Sequence, residues 1–270
     1  MTRKQRHFVQ SLARGLSVMR AFSAEEPNLT LTQITERTGL NVVTAQRYTD
    51  TLLELGFLKR NRHREFFLGP EVLSLGFAFV NGSQLRKIAE EYINEFSERV
   101  NRTVNMAMLD GNEVIFLYRK EVHRFLSYDL RAGSKLPSHC TGSGKVLLAA
   151  LDDDSLRERL SNMKLYRVTA HTIVDADQLW DDLMLTRERG YSVAKREWIV
   201  DLYSIGVPII NQEGRVEAAV NLSLSIEEAK GKHLKDMLEQ AIELGRNLSS
   251  AMGYAKQYPV IPTHADSGRN

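Results

Sequence analysis

The sequence predicts two folds in series: a mostly α N-terminal winged helix-turn-helix, then an α+β domain. Three observations predict this. Residues 30–68 read as a short helix, a tight turn at Gly39, a second helix and a two-strand ribbon with a basic tip. Further on, apolar runs flank Asp110-Gly111 and Glu213-Gly214 in the pattern of hairpins, with helical periodicity on either side. The charge is also divided. Residues 1–64 hold eleven Lys and Arg against five acids, a local +6, so a chain of net charge +2 carries −4 over the remainder. A basic first domain on a mildly acidic second one suits a protein that grips phosphates at one end. A length of 270 residues fits about two domains. The boundaries fall at 1–69 for the helix-turn-helix domain, 70–82 for a linker helix, 83–254 for the α+β domain and 255–270 for a mobile tail.

Residues 8–23 form an amphipathic helix with Phe8, Leu12, Leu16, Met19 and Phe22 near one face, suited to packing on the helix-turn-helix or on a partner subunit. Thr30 and Gln33 form a capping box that starts the next helix. Gly39 supplies a positive-φ turn, and Asn41 caps the helix that follows. In that helix Ala45, Tyr48, Thr49 and Leu52 share an inward stripe. Val42, Val43, Thr44, Gln46 and Arg47 lie elsewhere, free to meet a groove. Phe57–Arg60 and Glu65–Leu68 alternate as strands around the Asn61–Arg64 loop. Glu71–Val80 is a helix so apolar that it needs cover, and burial in a dimer supplies it.

The second domain opens with a helix over 84–99. Strands follow at 103–109, 114–120 and 124–130, then a helix at 141–151 entered through Pro137-Ser138-His139-Cys140. Helices at 152–160 and 177–189 precede strands at 191–196, 204–210 and 215–225 and a closing helix from Glu227 to about Met252. Helices flanking an antiparallel sheet define the α+β class. Residues 256–270 hold two prolines and show no periodicity, the pattern of a mobile tail.

Several function classes are disfavoured by composition. A single cysteine, Cys140, rules out an intrachain disulfide framework. The N-terminus is charged, and no apolar run approaches the ~18 residues of a membrane span. The chain therefore reads as cytoplasmic, with no membrane partner. The seven histidines show no metal-ligand spacing, and neither a metal nor a cofactor is expected.

Lys59, Arg60, Arg62, His63 and Arg64 crowd the wing, where cations neutralise backbone phosphates. A solvated loop is the plainer reading of such a run; its place directly after a helix-turn-helix favours double-stranded DNA. Arg47 suits a guanine edge or a phosphate, or else an ion pair with Asp50 one turn on. With Thr30 at the entry to the motif, the DNA-contact set is Thr30, Val43, Thr44, Gln46, Arg47, Arg60, Arg62, His63 and Arg64.

The run Gly142-Ser143-Gly144-Lys145 invites a phosphate-loop reading, which fails because His139 and Val146 occupy positions that need Gly and Ser or Thr. A Cys140–His139 nucleophile lacks an orienting third group. What remains is a Gly-rich loop opening a helix, which either holds a carboxylate on free backbone N–H groups or is a close-packed helix cap. Asn221 and Ser223 share one strand face, which lines a cavity or faces water.

Together these residues resemble the IclR family of bacterial transcription regulators, from about Phe8 to Tyr254. The resemblance rests on the helix-turn-helix with Arg47 and on Gly133–Ala149, which is similar to the family pattern GxxLPxHxTxxGKxLLA. It rests also on Gly190-Tyr191 to Glu197, Ser204–Ile209, Gly214-Arg215-Val216 and Ala218–Ser223. It implies a GAF-like effector-binding domain behind the winged helix-turn-helix. It further implies a homodimer, or a dimer of dimers, on a palindromic operator, and control by a small carboxylate effector. Carried over, the amides of Gly142 and Ser143 face the effector carboxylate, and His139, Glu197, Ser204, Asn221 and Ser223 fall at pocket positions. Members that bind glyoxylate or pyruvate look to have an acid, a cysteine and a serine where this chain has Ala194, Ser204 and Asn221, which argues against a small keto acid. The opening Phe8–Phe22 and Asn221-Leu222-Ser223 resemble the branch that controls catabolism of aromatic acids such as protocatechuate and 4-hydroxybenzoate. The rival readings are a keto-acid or sugar-acid sensor of the same architecture, and an enzyme using Cys140. Repressor or activator is a matter of where the operator lies.

Overall fold

A computed structural model describes residues 8–23, 25–122 and 130–265. Its first 82 residues make one unit and residues 83–270 another. In the first, α1 (Gln10–Arg20), α2 (Leu31–Thr38) and α3 (Val42–Glu54) precede a ribbon of β1 (Leu58–Arg60) and β2 (Phe66–Leu68), then α4 (Glu71–Gly82). The local signals act as the sequence predicts. Thr30 and Gln33 form the reciprocal capping box, Gly39 turns at φ +68°, and Asn41 Oδ1 accepts from Thr44 N at 2.9 Å. Ile34, Ala45, Leu52, Leu58 and Phe66 close the core. Leu29 adds a third segment to the ribbon, exchanging backbone hydrogen bonds with Phe66 at 2.9 and 2.8 Å.

The first helix is shorter than the predicted 8–23. Of its residues Val18 reaches the core, joined by Phe22 just beyond its end, whereas Leu12 and Leu16 stay 62% and 45% exposed. Along α4, Leu73, Leu75 and Phe79 are likewise exposed.

The second unit runs α5 (Gln84–Val100), β3 (Val104–Asp110), β4 (Glu113–Lys120), β5 (Lys135–Pro137), α6 (Gly142–Ala149), α7 (Asp153–Asn162), α8 (Ala176–Arg189), β6 (Ser192–Lys195), β7 (Leu202–Ile210), β8 (Val216–Ser225) and α9 (Gly231–Ala251). Among the described residues its strands form one antiparallel sheet in the order β5-β4-β3-β8-β7-β6. The two-residue period of β8 divides the core: Ala218, Val220, Leu222 and Leu224 pack beneath α5 and α9, and Ala219 packs on the opposite side with α6, α7 and α8. Among the described residues no helix is long and apolar enough to cross a membrane.

Two expectations need correction, the start of the last helix and the tail, and a third falls on residues that are not described. The strand expected at 124–130 lies outside the described residues except for Leu130; among the described residues Lys135–Pro137 forms a further strand beside β4. The last helix starts at Gly231 rather than Glu227, because Ser225 Oγ and N bond the Glu228 carboxylate at 2.9 and 3.1 Å and hold that stretch in a turn. The predicted mobile tail is docked through residue 265. Tyr258 and Ile261 are buried, the Tyr258 hydroxyl donates to Pro208 O at 2.9 Å, and His264 pairs with Leu151. An extended strap anchored at isolated residues has no periodicity to read.

Candidate functional site

In the first unit, Val43 and Arg47 project into solvent from α3, while Ala45 and Thr49 are fully buried beneath them. Asp50 accepts from Gln46 Nε2 at 2.6 Å rather than pairing with Arg47. Thr44 and Gln46 are half-buried beside them. Thr30 differs from the rest of its set in that its hydroxyl is engaged with Gln33 in the capping box that starts α2. On the wing, Arg60, Arg62, His63 and Arg64 are all exposed. The loop that carries them is built by Asn61, whose Oδ1 accepts from His63 N at 2.9 Å and Glu65 N at 3.0 Å, with Arg64 at φ +64°. Arg60 lies over the Phe66 ring, 5.2 Å from its centroid. Basic side chains on a stiff tip suit a polyanionic surface, since little ordering is left for binding.

In the second unit a narrow cavity lies between the sheet and the start of α6. Its polar wall is Asn105, Arg119, Thr141, Ser143, Ser204, Asn221 and Ser223; its apolar wall is Phe116, Leu130, Leu136, Cys140, Ala194, Trp198 and Leu202. The cavity measures ≈ 30 Å³, room for one or two waters. Asn221 donates to Ser204 Oγ at 3.0 Å. Arg119 donates to Asn105 Oδ1 at 2.6 Å and meets Glu121 at 3.1 Å. Its side chain is only 7% exposed, and Nε is buried without a hydrogen-bond partner among the described residues. Ser143 Oγ is also buried and unpartnered there. Donors left idle in a closed space are costly unless a ligand accepts from them.

Sequence reasoning placed Ser143, Ser204, Asn221 and Ser223 in this wall and missed Arg119 and Asn105. For Arg119 the cause is a β-bulge; Asn105 alternates regularly with Val104 and Met106. Met106 pairs with Tyr118 and Ala107 with Phe116, leaving Leu117 as the extra residue. Leu117 and Tyr118 both face the α5 side, so the alternation slips and Arg119 returns to the cavity face. The sheet then aligns Arg119, Asn105, Asn221 and Gly206 across β4, β3, β8 and β7.

His139, Gly142 and Glu197 do not line the cavity. His139 Nε2 meets Tyr166 O at 3.1 Å with its ring edge-on to Tyr166, and burial pulls its pKa down. Gly142 is a packing glycine: an added Cβ would lie 2.6 Å from Ser204 Oγ, and its carbonyl accepts from Ser192 Oγ at 2.5 Å. Gly144 is tighter still, since a Cβ there would lie 2.2 Å from Ser138 O. The helix start therefore seats directly on the sheet, with Thr141 Oγ1 accepting from Gly144 N at 3.2 Å. Glu197 binds Lys145, 2.6 Å away, and Lys145 also meets Asp182 at 2.9 Å. Burial raises the Glu197 pKa, more than the attraction of Lys145 lowers it, and Asp182 adds to the rise. Lys145 is thus spent on an internal ion cluster, not offered to a phosphate. Cys140 and His139 form no dyad, because the imidazole is turned to Tyr166. Burial pushes the Cys140 thiol up to about 12, far from the thiolate a nucleophile requires.

A winged helix-turn-helix with a solvent-facing basic surface, followed by an α+β domain that encloses a polar cavity, is the architecture of a DNA-binding protein. Residues 11–62 match the IclR helix-turn-helix domain, and residues 77–250 match the bacterial transcriptional regulator IclR C-terminal domain. The chain belongs to the IclR family of transcriptional regulators. It is 37% identical over 234 residues to the Pca regulon regulatory protein of Pseudomonas putida, covering 86% of this chain and 79% of that one. It is 30% identical over 250 residues to the p-hydroxybenzoate hydroxylase transcriptional activator of Acinetobacter baylyi, covering 91% of each. Among solved structures, an IclR homologue from Microbacterium hydrocarbonoxydans complexed with 4-hydroxybenzoate superposes with a TM-score of 0.76 at 28% identity, covering 90% of this chain and 99% of that one.

Proposed function

We propose that this regulator is controlled by an aromatic carboxylate such as 4-hydroxybenzoate or protocatechuate, bound in the cavity between the sheet and α6. The observation that carries the reading is the Arg119 guanidinium, buried beside apolar walls with one N–H unsatisfied. A carboxylate supplies its missing acceptor, a ring fills the space toward Phe116 and Trp198, and a ring hydroxyl reaches the serine and asparagine groups. The similarity to regulators of the pca regulon and of p-hydroxybenzoate hydroxylase supports the ligand class. So does the 4-hydroxybenzoate complex of a structural neighbour. At ≈ 30 Å³ the cavity is too small for a ring, so binding pushes its walls apart. That displacement provides the differential interaction by which a ligand shifts an equilibrium between DNA-binding arrangements.

The protein works in the cytoplasm as a homodimer, or as a dimer of dimers, on a palindromic operator. The exposed apolar residues of α1 and α4, including Leu12, Leu73, Leu75 and Phe79, are the surface a partner covers. Leu75→Asp is expected to weaken self-association and operator binding together, as read by sedimentation and fluorescence anisotropy; unchanged values in both would remove α4 from the interface. Arg47→Ala is expected to weaken specific binding by about 1–3 kcal/mol and leave the effector isotherm intact. Wild-type operator affinity in that variant would reassign the recognition helix. The reading as a whole is tested by anisotropy on DNA from upstream of the protein's own gene, with and without aromatic, keto and sugar acids. A specific isotherm shifted by an aromatic acid is the expected result; a shift by only a keto or sugar acid would replace the ligand class.

A further inference from the structure

A second and larger depression, ≈ 440 Å³, lies elsewhere in the second unit, lined by His171, Lys195, Arg196, Tyr203, Ile226, Ala229 and Lys230. Two lysines, an arginine and a histidine line it, and among the described residues no carboxylate does. This concentration of positive charge is unusual for its surroundings, because residues 65–270 carry a net −4. Arg196 is held in a conformation its side chain disfavours, at φ +64°. Two hydrogen bonds fix it there: its N–H donates to Leu202 O at 2.8 Å, and its carbonyl accepts from Thr169 Oγ1 at 2.6 Å. Its Nε is buried without a hydrogen-bond partner among the described residues. An arginine held by two such hydrogen bonds off its preferred backbone region, in the lining of a basic depression, is a reason to look for an anion.

The β6–β7 hairpin is the wall between this cleft and the inner cavity. Ala194 pairs with Ser204 and Lys195 with Tyr203. Because successive side chains alternate, Ala194 and Ser204 line the inner cavity while Lys195 and Tyr203 line the outer cleft. The connection between the strands repeats the division, with Arg196 outside and Trp198 inside.

We propose that the outer cleft binds a small organic polyanion, a di- or tricarboxylate or a phosphorylated metabolite, and that its occupancy is transmitted through the β6–β7 hairpin to the inner cavity. Lys195, Lys230 and Arg196 neutralise the charges; Ile226 and Ala229 receive the carbon skeleton. The transmission clause rests on the inner cavity being the effector site, whereas the binding clause stands apart from it. By linkage, a ligand that moves the shared wall changes the affinity of the other ligand as much as its own is changed.

The probes are citrate and pyrophosphate, titrated calorimetrically into the full-length protein at about 0.15 M salt, where non-specific surface attraction is largely screened. A single-site isotherm with at least one probe is expected. It should weaken at least about tenfold in Lys195→Ala/Lys230→Ala, and stay unchanged in Lys164→Ala, which removes the same kind of charge elsewhere on the unit. Arg119→Met, which alters the inner cavity alone, should also retain it. No heat with either probe, or equal losses in the cleft and Lys164 variants, overturns the site. Transmission is read without any effector: in a Trp180→Phe background, citrate or pyrophosphate should shift the fluorescence of Trp198. A binding isotherm with no change in Trp198 emission overturns the coupling and leaves the site. Where 4-hydroxybenzoate binds, its isotherm should move when the cleft is saturated; where it does not bind, the effector assignment fails and the cleft result stands on its own.

Discussion

Arg119→Met is expected to abolish measurable effector binding while leaving the protein at least as stable as wild type. The two effects have opposite signs because they arise from different states. In the free protein the guanidinium is 7% exposed and only partly compensated, by Asn105 and by a Glu121 carboxylate that is itself 36% exposed. A buried charge so compensated costs desolvation, and an apolar side chain of similar length relieves it. In the proposed complex, the same guanidinium would meet the effector carboxylate in a space that excludes water. Truncating one partner of such a pair costs about 2–5 kcal/mol, or a loss of roughly 30-fold to several thousand-fold in affinity. Calorimetry with 4-hydroxybenzoate and a thermal melt read both quantities on one preparation. Ser143→Ala provides the scale, since it removes a single neutral hydrogen bond and should cost about 0.5–1.5 kcal/mol of binding. An Arg119→Met isotherm that matches wild type would place the carboxylate elsewhere, on the α6 amides that the family resemblance favours. A melting temperature that falls along with affinity would mean Arg119 is a structural residue.

That experiment turns on a residue the sequence could not single out, and the reason is instructive. Strand alternation assigns faces by counting in twos, and it puts Asn221 and Ser223 on one face, where both line the cavity. Counting fails across a bulge, and Leu117 supplies one just before Arg119. The local signals were legible because they act over three or four residues: the Thr30–Gln33 box, the Gly39 turn, the Asn41 cap and the Gly111 hairpin each need only their neighbours. Glu197 and Lys145 are 52 positions apart, and no local rule says that a lysine in a Gly-rich loop will turn inward to an acid on a later strand connection. The glycines of that loop were noticed for their free N–H groups, yet what demands them is the approach of Ser204 and Ser138. The docked strap 255–265 was missed for a related reason, since Tyr258 and Ile261 are held by partners far back in the chain.

The buried ion cluster sets the second large effect. Lys145→Met should lower stability by about 3–5 kcal/mol at neutral pH, a fall of roughly 6–20 °C in melting temperature for a unit of this size. Lys145 is 1% exposed, and its removal strands the Glu197 carboxylate, 8% exposed, next to Asp182 with no cation between them. The pH dependence follows from the direction of the Glu197 shift, which burial drives upward. The folded state holds that proton more tightly than the unfolded chain does. Its contribution is therefore complete below the ordinary carboxylate range and is lost as pH rises toward the folded-state value. Without Lys145 the folded pKa climbs further. The variant should then lie closest to wild type near pH 5 and furthest from it near pH 8. Adding Glu197→Gln removes the titrating charge, so the double variant should regain much of the stability and lose the extra pH dependence. A Lys145→Met protein whose deficit is the same at both pH values, or a double variant no more stable than the single one, would show that the cluster matters for packing and not for charge. Effector affinity separates structure from positioning. Glu197 directly precedes Trp198 in the cavity wall, so a refolded double variant that binds the aromatic acid more weakly would mean the ion cluster holds that wall in place. One that binds normally would confine the cluster to stability.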